Sequence, residues 1–192
     1  MIRSLYDWTI SLGQTRYALW ALAIVAFLES SVFPIPPDVL MIPMILAAPH
    51  RAFIIAGLCT AASVLGGLAG YWIGFAAYDE IGRPILESLG KSDSMEAFNE
   101  RFNDFGFWPV LVAGVTPFPY KVITIMSGWT GLPLATFVVT SIIARGLRFF
   151  LVATLLWYYG EPIRAFIERR LGLVFVAFVL LLAAGFAVVA YL

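Results

Sequence analysis

Two apolar stretches of this chain are interrupted by the same proline pattern, and that restricts the folds open to it. Phe33-Pro34-Ile35-Pro36-Pro37-Asp38-Val39 can be laid on Thr116-Pro117-Phe118-Pro119-Tyr120-Lys121-Val122, so x-Pro-x-Pro-x-charge-Val occurs twice with the charge opposite in sign. Proline removes a backbone donor and clashes with the preceding turn, so neither 17–48 nor 107–131 runs on as one helix. The arms after the prolines, 38–48 and 121–131, are 11 residues each. As helix each would rise about 16 Å, roughly half a bilayer core. Each region therefore reads as a re-entrant hairpin that enters and leaves on one side, broken by Pro34, Pro36 and Pro37 in the first and by Pro117 and Pro119 in the second. Irregular backbone at that depth persists only where protein or a wet cavity satisfies it.

Composition places these hairpins in lipid. Of 192 residues 61% are hydrophobic and 12% charged, with a mean hydropathy of +0.92. A soluble domain carries about a quarter charged residues. Twelve acids balance twelve bases, so no bulk charge draws the chain to nucleic acid. Three uninterrupted stretches reach the roughly 20 residues a spanning helix needs: 52–78, 132–159 and 171–192. Residues 1–16, with Arg3 and Arg16 around Leu5, Trp8 and Leu12, read as an interfacial helix, with no cleavage site after the first apolar run. Residues 82–105 read as an amphipathic interfacial region, in which Asp93 and Glu96 resemble a capping box. Its apolar residues Met95, Phe98, Phe102 and Phe105 recur at helical spacing. The expected fold is a single all-α integral membrane domain.

The proline pattern is part of a longer repeat. A long apolar helix follows each copy, and then Gly82-Arg83-Pro84-Ile85 in one half and Gly160-Glu161-Pro162-Ile163 in the other. One spanning helix separates equivalent points, so the halves are expected to be inverted. An inverted repeat of hairpin plus transmembrane helix, followed by a C-terminal transmembrane helix, is a transporter-like plan with its site near the midplane. Ala62, Gly66, Gly70 and Gly74 form a small-residue stripe that lets another helix approach closely. Arg3, Arg16, Arg51, Arg164, Arg169 and Arg170 fall on one side and Arg83, Lys91 and Arg101 on the other, which places the N-terminus in the cytoplasm.

Charge inside the apolar segments carries the functional reading. Glu29, Asp38, Lys121, Arg145 and Arg148 would each cost about 2.5–3.5 kcal/mol at the bilayer centre, so they are expected to face inward. Two acids against three bases leave one positive charge, which favours an anion such as a lipid phosphate. Arg145 and Arg148 share a helical face and suit phosphate oxygens, while Glu29 or Asp38 could titrate and couple transport to protons. The bland alternative is that these groups pair and lock the hairpins together. Three functions stay open: a flippase or scramblase for an anionic lipid, a proton-coupled carrier or exchanger for a small ion, and a non-transporting assembly factor. No enzymatic motif appears, since His50 lies beside Pro49 and Arg51 in an interfacial loop and Ser30, Ser31 and Ser127 lack a histidine partner. No metal site and no cofactor are expected.

The segments Glu29 to Asp38, Gly66 to Gly74, Thr116 to Lys121 and Arg145-Gly146-Leu147-Arg148-Phe149, in this order, resemble the DedA family, which shares the VTT or SNARE-associated domain, and its YqaA-like branch in particular. The resemblance covers about Tyr17 to Gly160. It implies a bacterial inner-membrane protein, multi-pass, with paired re-entrant hairpins. Members are associated with moving phospholipids or polyprenyl phosphates between leaflets, and with envelope homeostasis. The family's first-hairpin acids map onto Glu29 and Asp38, and its second-hairpin basic position onto Lys121. Many relatives carry two arginines in that hairpin; here Gly114 or Val115 occupies the upstream place and lysine the downstream one. Arg145 and Arg148 are expected to supply the missing charge.

Overall fold

The computed structural model describes residues 17–32, 36–88, 92–116, 119–160 and 162, and among these the regular structure is helical throughout. The first interrupted region is two helices, α1 (Ala18–Ser31) and α2 (Asp38–Ala47). A short 3-10 turn, Pro49–Arg51, leads into α3 (Ala52–Ala77), which runs on as a π turn over Tyr78–Gly82. The amphipathic region divides into α4 (Arg83–Ser88) and α5 (Ser92–Asp104). The second interrupted region is α6 (Trp108–Val115) and α7 (Tyr120–Trp129), and the long helix Leu134–Gly160 is α8. The stretches 1–16 and 171–192, read as an interfacial and a spanning helix, lie outside the described residues, as do Pro34 and Pro117.

Local chemistry accounts for the breaks. Pro37 and Pro119 stand immediately before α2 and α7, where a missing N–H is harmless and a fixed φ suits the first turn. α7 ends in a Schellman turn: Gly131 takes φ +68°, its N–H reaches Gly128 O at 3.2 Å, and Leu132 N–H reaches Ser127 O at 2.9 Å. That turn reverses the chain into α8. Tyr71 fixes it in place by donating its hydroxyl to Leu132 O at 2.7 Å.

Helices α3 and α8 are long and apolar enough to cross a membrane. Large apolar side chains remain exposed along the bundle, among them Trp20, Ile54, Trp72, Ile143 and Leu151. Exposed apolar surface on this scale is what a lipid-embedded protein presents.

Two buried clusters occupy opposite ends of the spanning helices. One joins Leu22 of α1 and Met41 and Ile45 of α2 to Ile55 and Cys59 of α3 and Phe149 and Ala153 of α8. The other joins Tyr71 of α3 to Val110 and Ala113 of α6, Tyr120 of α7 and Phe137 of α8. Each helix–break–helix unit thus contributes to one cluster, and the breaks meet near the middle of α3.

The small-residue stripe sets the packing. Gly66 lies against the backbone of Phe27, Gly70 against Thr124 and Ser30 O, and Gly74 against the backbone of Ile125, while Gly128 answers from α7 against Tyr71. A Cβ at any of these four would overlap its neighbour. Helices α1 and α7 therefore press on α3 at backbone distance, with Ala62 buried in the same face. On α8 the close neighbours are α6, through Gly114 against the Ala144 methyl, and α2, through Leu46 against Gly160. Two three-helix layers result, α1–α3–α7 and α2–α8–α6, each built from one spanning helix and one arm of each interrupted region.

Candidate functional site

The five charges singled out from the sequence come together where the two breaks meet. Arg145, on α8, is 1% exposed. Its Nη2 donates to Glu29 Oε2 at 2.7 Å and its Nε to Ser63 Oγ at 2.6 Å. Its guanidinium carbon lies 4.8 Å from the centroid of the Tyr120 ring and 4.7 Å from that of Phe149. Cation–π contact of this kind strengthens when water is excluded.

Donor and acceptor rules fix the direction of the network. An arginine nitrogen only donates, so Ser63 Oγ accepts from Arg145 and keeps its own proton to give. Ser30 Oγ donates to Glu29 Oε2 at 3.1 Å, so the 2.6 Å contact between the two serine hydroxyls runs from Ser63 to Ser30. The ring closes on one oxygen: Arg145 to Ser63 to Ser30 to Glu29, with Arg145 also donating to Glu29 directly. It joins α8, α3 and α1.

Arg148, one helical turn on, serves a second acid. Its Nη2 meets Asp38 Oδ2 at 2.6 Å and its Nη1 meets Thr116 O at 2.8 Å. Asp38 opens α2, where a carboxylate suits the positive helix end, and Thr116 closes α6, where a cation suits the negative end. This pair is less buried, with side-chain exposures of 18% for Arg148 and 16% for Asp38. One guanidinium thereby ties an arm of each interrupted region to α8.

Lys121 completes the set from α7. Its Nζ donates to Val32 O, the last carbonyl of α1, at 3.1 Å. Beside it Thr124 Oγ1 donates to Ser30 O at 3.1 Å. Both α1 and α6 thus end on a cation. Arg145 and Arg148 each face a carboxylate, whereas Lys121 faces only a carbonyl and has no ion pair among the described residues. The single positive charge left over in the sequence sum is therefore the charge of Lys121.

The hydroxyls and rings that hold these charges are not evident from the sequence. Ser30 bonds Ser63 and Glu29, and Ser31 donates to the carbonyls of its own helix, Phe27 O and Leu28 O. Tyr120 donates to Ser141 on α8. The available signal was slight: Ser63 is a hydroxyl one residue from the small-residue stripe, within an uncharged 26-residue helix. His50 lies in the exposed 3-10 turn and Cys59 is buried and free. Among the described residues no group of His, Cys, Asp and Glu is arranged to hold a metal ion.

Comparison with known proteins adds to this geometry. A family model described as the VTT domain matches residues 33–158, which spans both breaks and both long helices. An uncharacterized protein of Haemophilus influenzae is 36% identical over 171 residues, covering 89% of this chain and 88% of its own length. An uncharacterized protein of Histophilus somni is 34% identical over 168 residues, covering 88% and 87%. No solved structure matches the chain.

Proposed function

Since the chain belongs to the VTT-domain family, the DedA class of membrane proteins, we propose that it moves an anionic lipid between leaflets, as a flippase or scramblase for a phospholipid or polyprenyl phosphate in a bacterial inner membrane. On this reading the two interrupted regions are re-entrant hairpins entering from opposite faces, related as an inverted repeat, and the protein crosses the membrane several times. The observation that carries the proposal is the ammonium of Lys121, which has no ion pair among the described residues and, like the partly exposed Arg148–Asp38 pair, bridges the two breaks. A lone cation at membrane depth is expensive unless it faces a cavity, a partner or a ligand, and a headgroup phosphate supplies the missing negative charge. The apolar outer surface offers the acyl chains a path that a small ion does not need. No covalent step is assigned to these residues.

Arg145 supports a second reading for its own position. Its burial and its bonds to Glu29 and Ser63 suit a strut that locks the halves together, the role expected of an assembly scaffold. Leaflet exchange of labelled phosphatidylglycerol and polyprenyl phosphate in proteoliposomes tests the proposal, comparing wild type with Lys121→Ala at equal reconstitution. The expected result is exchange well above empty liposomes that falls at least tenfold in the variant. Wild-type exchange equal to that of empty liposomes for both lipids would leave the scaffold or the small-ion carrier as the better account.

A further inference from the structure

The two layers differ in how they are held within themselves and against each other. Inside the first, glycines bring α1 and α7 onto α3 at backbone distance, and Lys121 and Thr124 close the end of α1. Inside the second, Arg148 joins α2 and α6 to α8, and Gly114 meets Ala144 closely. Between the layers the contacts are made by side chains: a Cβ built on Gly67 would lie 3.4 Å from the Phe137 ring. A Cβ built on Gly146 would lie 3.9 Å from the Thr60 methyl, and one on Gly57 would lie 4.0 Å from the Phe150 ring. Phe53 stacks on Phe150 with centroids 6.4 Å apart, and Tyr71 lies 5.2 Å from Phe137.

Across this apolar seam the polar ties among the described residues are few and, apart from Tyr71 holding the turn into α8, central. Arg145 reaches from α8 to Glu29 on α1 and Ser63 on α3, and Tyr120 on α7 reaches Ser141 on α8. The chain crosses the seam at both breaks, where the prolines leave no continuous helix to resist bending, and again at the short turns that lead from α2 into α3 and from α7 into α8. Side chains that slide past one another across a seam change partners at small cost. Backbones locked through glycine, and helix ends capped by charge, do not.

We infer that the mechanical units of this protein are the two layers rather than the two sequence halves, and that they shift against each other about the proline breaks and the two short turns that join them, with Arg145 as the latch. Each unit then contains an arm of both interrupted regions, so a shift changes both breaks at once. A shift of one layer on the other would change the exposure of Lys121, which belongs to the first, and of Arg148, which belongs to the second. That consequence rests on the transport reading, whereas the layering itself does not.

The test measures distances, so it stands apart from any transport assay. Paired spin labels are placed, in a Cys59→Ala background in lipid nanodiscs, at lipid-exposed positions roughly 20–30 Å apart by helix rise. Trp20 with Ile73 reports the first layer, Val112 with Trp157 the second, and Ile73 with Trp157 the distance across the seam. Each pair is measured in the wild-type latch, in Ser63→Ala and in Tyr120→Phe. Within layers, one narrow distance is expected in all three backgrounds, which also shows that the variants are folded. Across the seam, at least one latch variant is expected to gain a population displaced by about 5 Å, the scale of a one-turn shift of helix past helix. A cross-seam distance unchanged in both variants overturns the inference, as does a within-layer distance that moves equally or is lost in both. Lipid exchange failing while the cross-seam shift appears would count against the transport reading and leave the layers standing.

Discussion

The guanidinium of Arg145 is held along its edge by Glu29 and Ser63 and lies against the rings of Tyr120 and Phe149, so taking away one partner differs in kind from taking away both. Glu29→Gln leaves a buried cation without its counter-charge, and Arg145→Met leaves the carboxylate. Removing one member of a buried pair typically destabilises by about 3–5 kcal/mol; the lower end is expected here, because Glu29 keeps 15% of its side chain exposed. The double variant should lose much less than the sum, with a coupling of about 1–3 kcal/mol. Unfolding midpoints of the purified protein in one detergent measure all three, and strict additivity would show that the pair does not act as one unit. At this scale the sequence discloses which residues matter, since a charge inside an apolar run stands out. It does not disclose their partners. Glu29 and Arg145 are 116 positions apart and Asp38 and Arg148 are 110 apart, and no local rule joins residues so distant. Ser63 is harder still, because one hydroxyl in an apolar helix resembles any other small residue.

Helix α3 carries its packing instructions in its glycines. Gly66→Ala and Gly74→Ala should destabilise by about 1–3 kcal/mol, as overpacking does, because each methyl meets the backbone of another helix rather than a side chain that can move. Gly57→Ala, whose Cβ would meet only the Phe150 ring at 4.0 Å, should be neutral or stabilising by up to about 1 kcal/mol, the helix-propensity gain over glycine. Thermal unfolding in the same detergent separates the two sets, and equal effects would mean that the stripe is not a packing surface. The stripe, the long helices and the proline breaks were all legible, because periodicity and proline act locally. The facing elements were not: nothing in Gly70 or Gly74 says that α7, fifty residues on, fills the groove. The amphipathic region, expected to be interfacial, divides into α4 and α5, and α3 runs into a π turn where Gly82 accommodates the Trp129 ring.

For the molecule as a whole, the position of the breaks midway along α3 carries a topological expectation. The Pro49–Arg51 turn and α5 lie at opposite ends of that helix, so they should face opposite sides of the membrane. Cysteines at His50 and Glu100, in the Cys59→Ala background, are expected to react with an impermeant maleimide from opposite faces of oriented vesicles. Reaction of both from one face would mean that α3 does not span. The layered arrangement could not be read from the chain, because each layer draws on both halves of the sequence and the repeat suggests the halves as the natural units.

Capping of one helix by a distant segment also bears on how the protein is made. The last carbonyls of α1 are satisfied by Lys121 and Thr124, which a ribosome reaches about ninety residues later. Until then the end of α1 has bare acceptors, and Gly70 and Gly74 of α3 have no α7 to pack against. Lipid offers neither a donor nor a fitting surface. The early half therefore has to be sheltered by the insertion machinery or by water at its tip, and it becomes a finished structure only when the late half arrives. Synthesis order and architecture are in tension here: the half made first is the half that cannot stand alone.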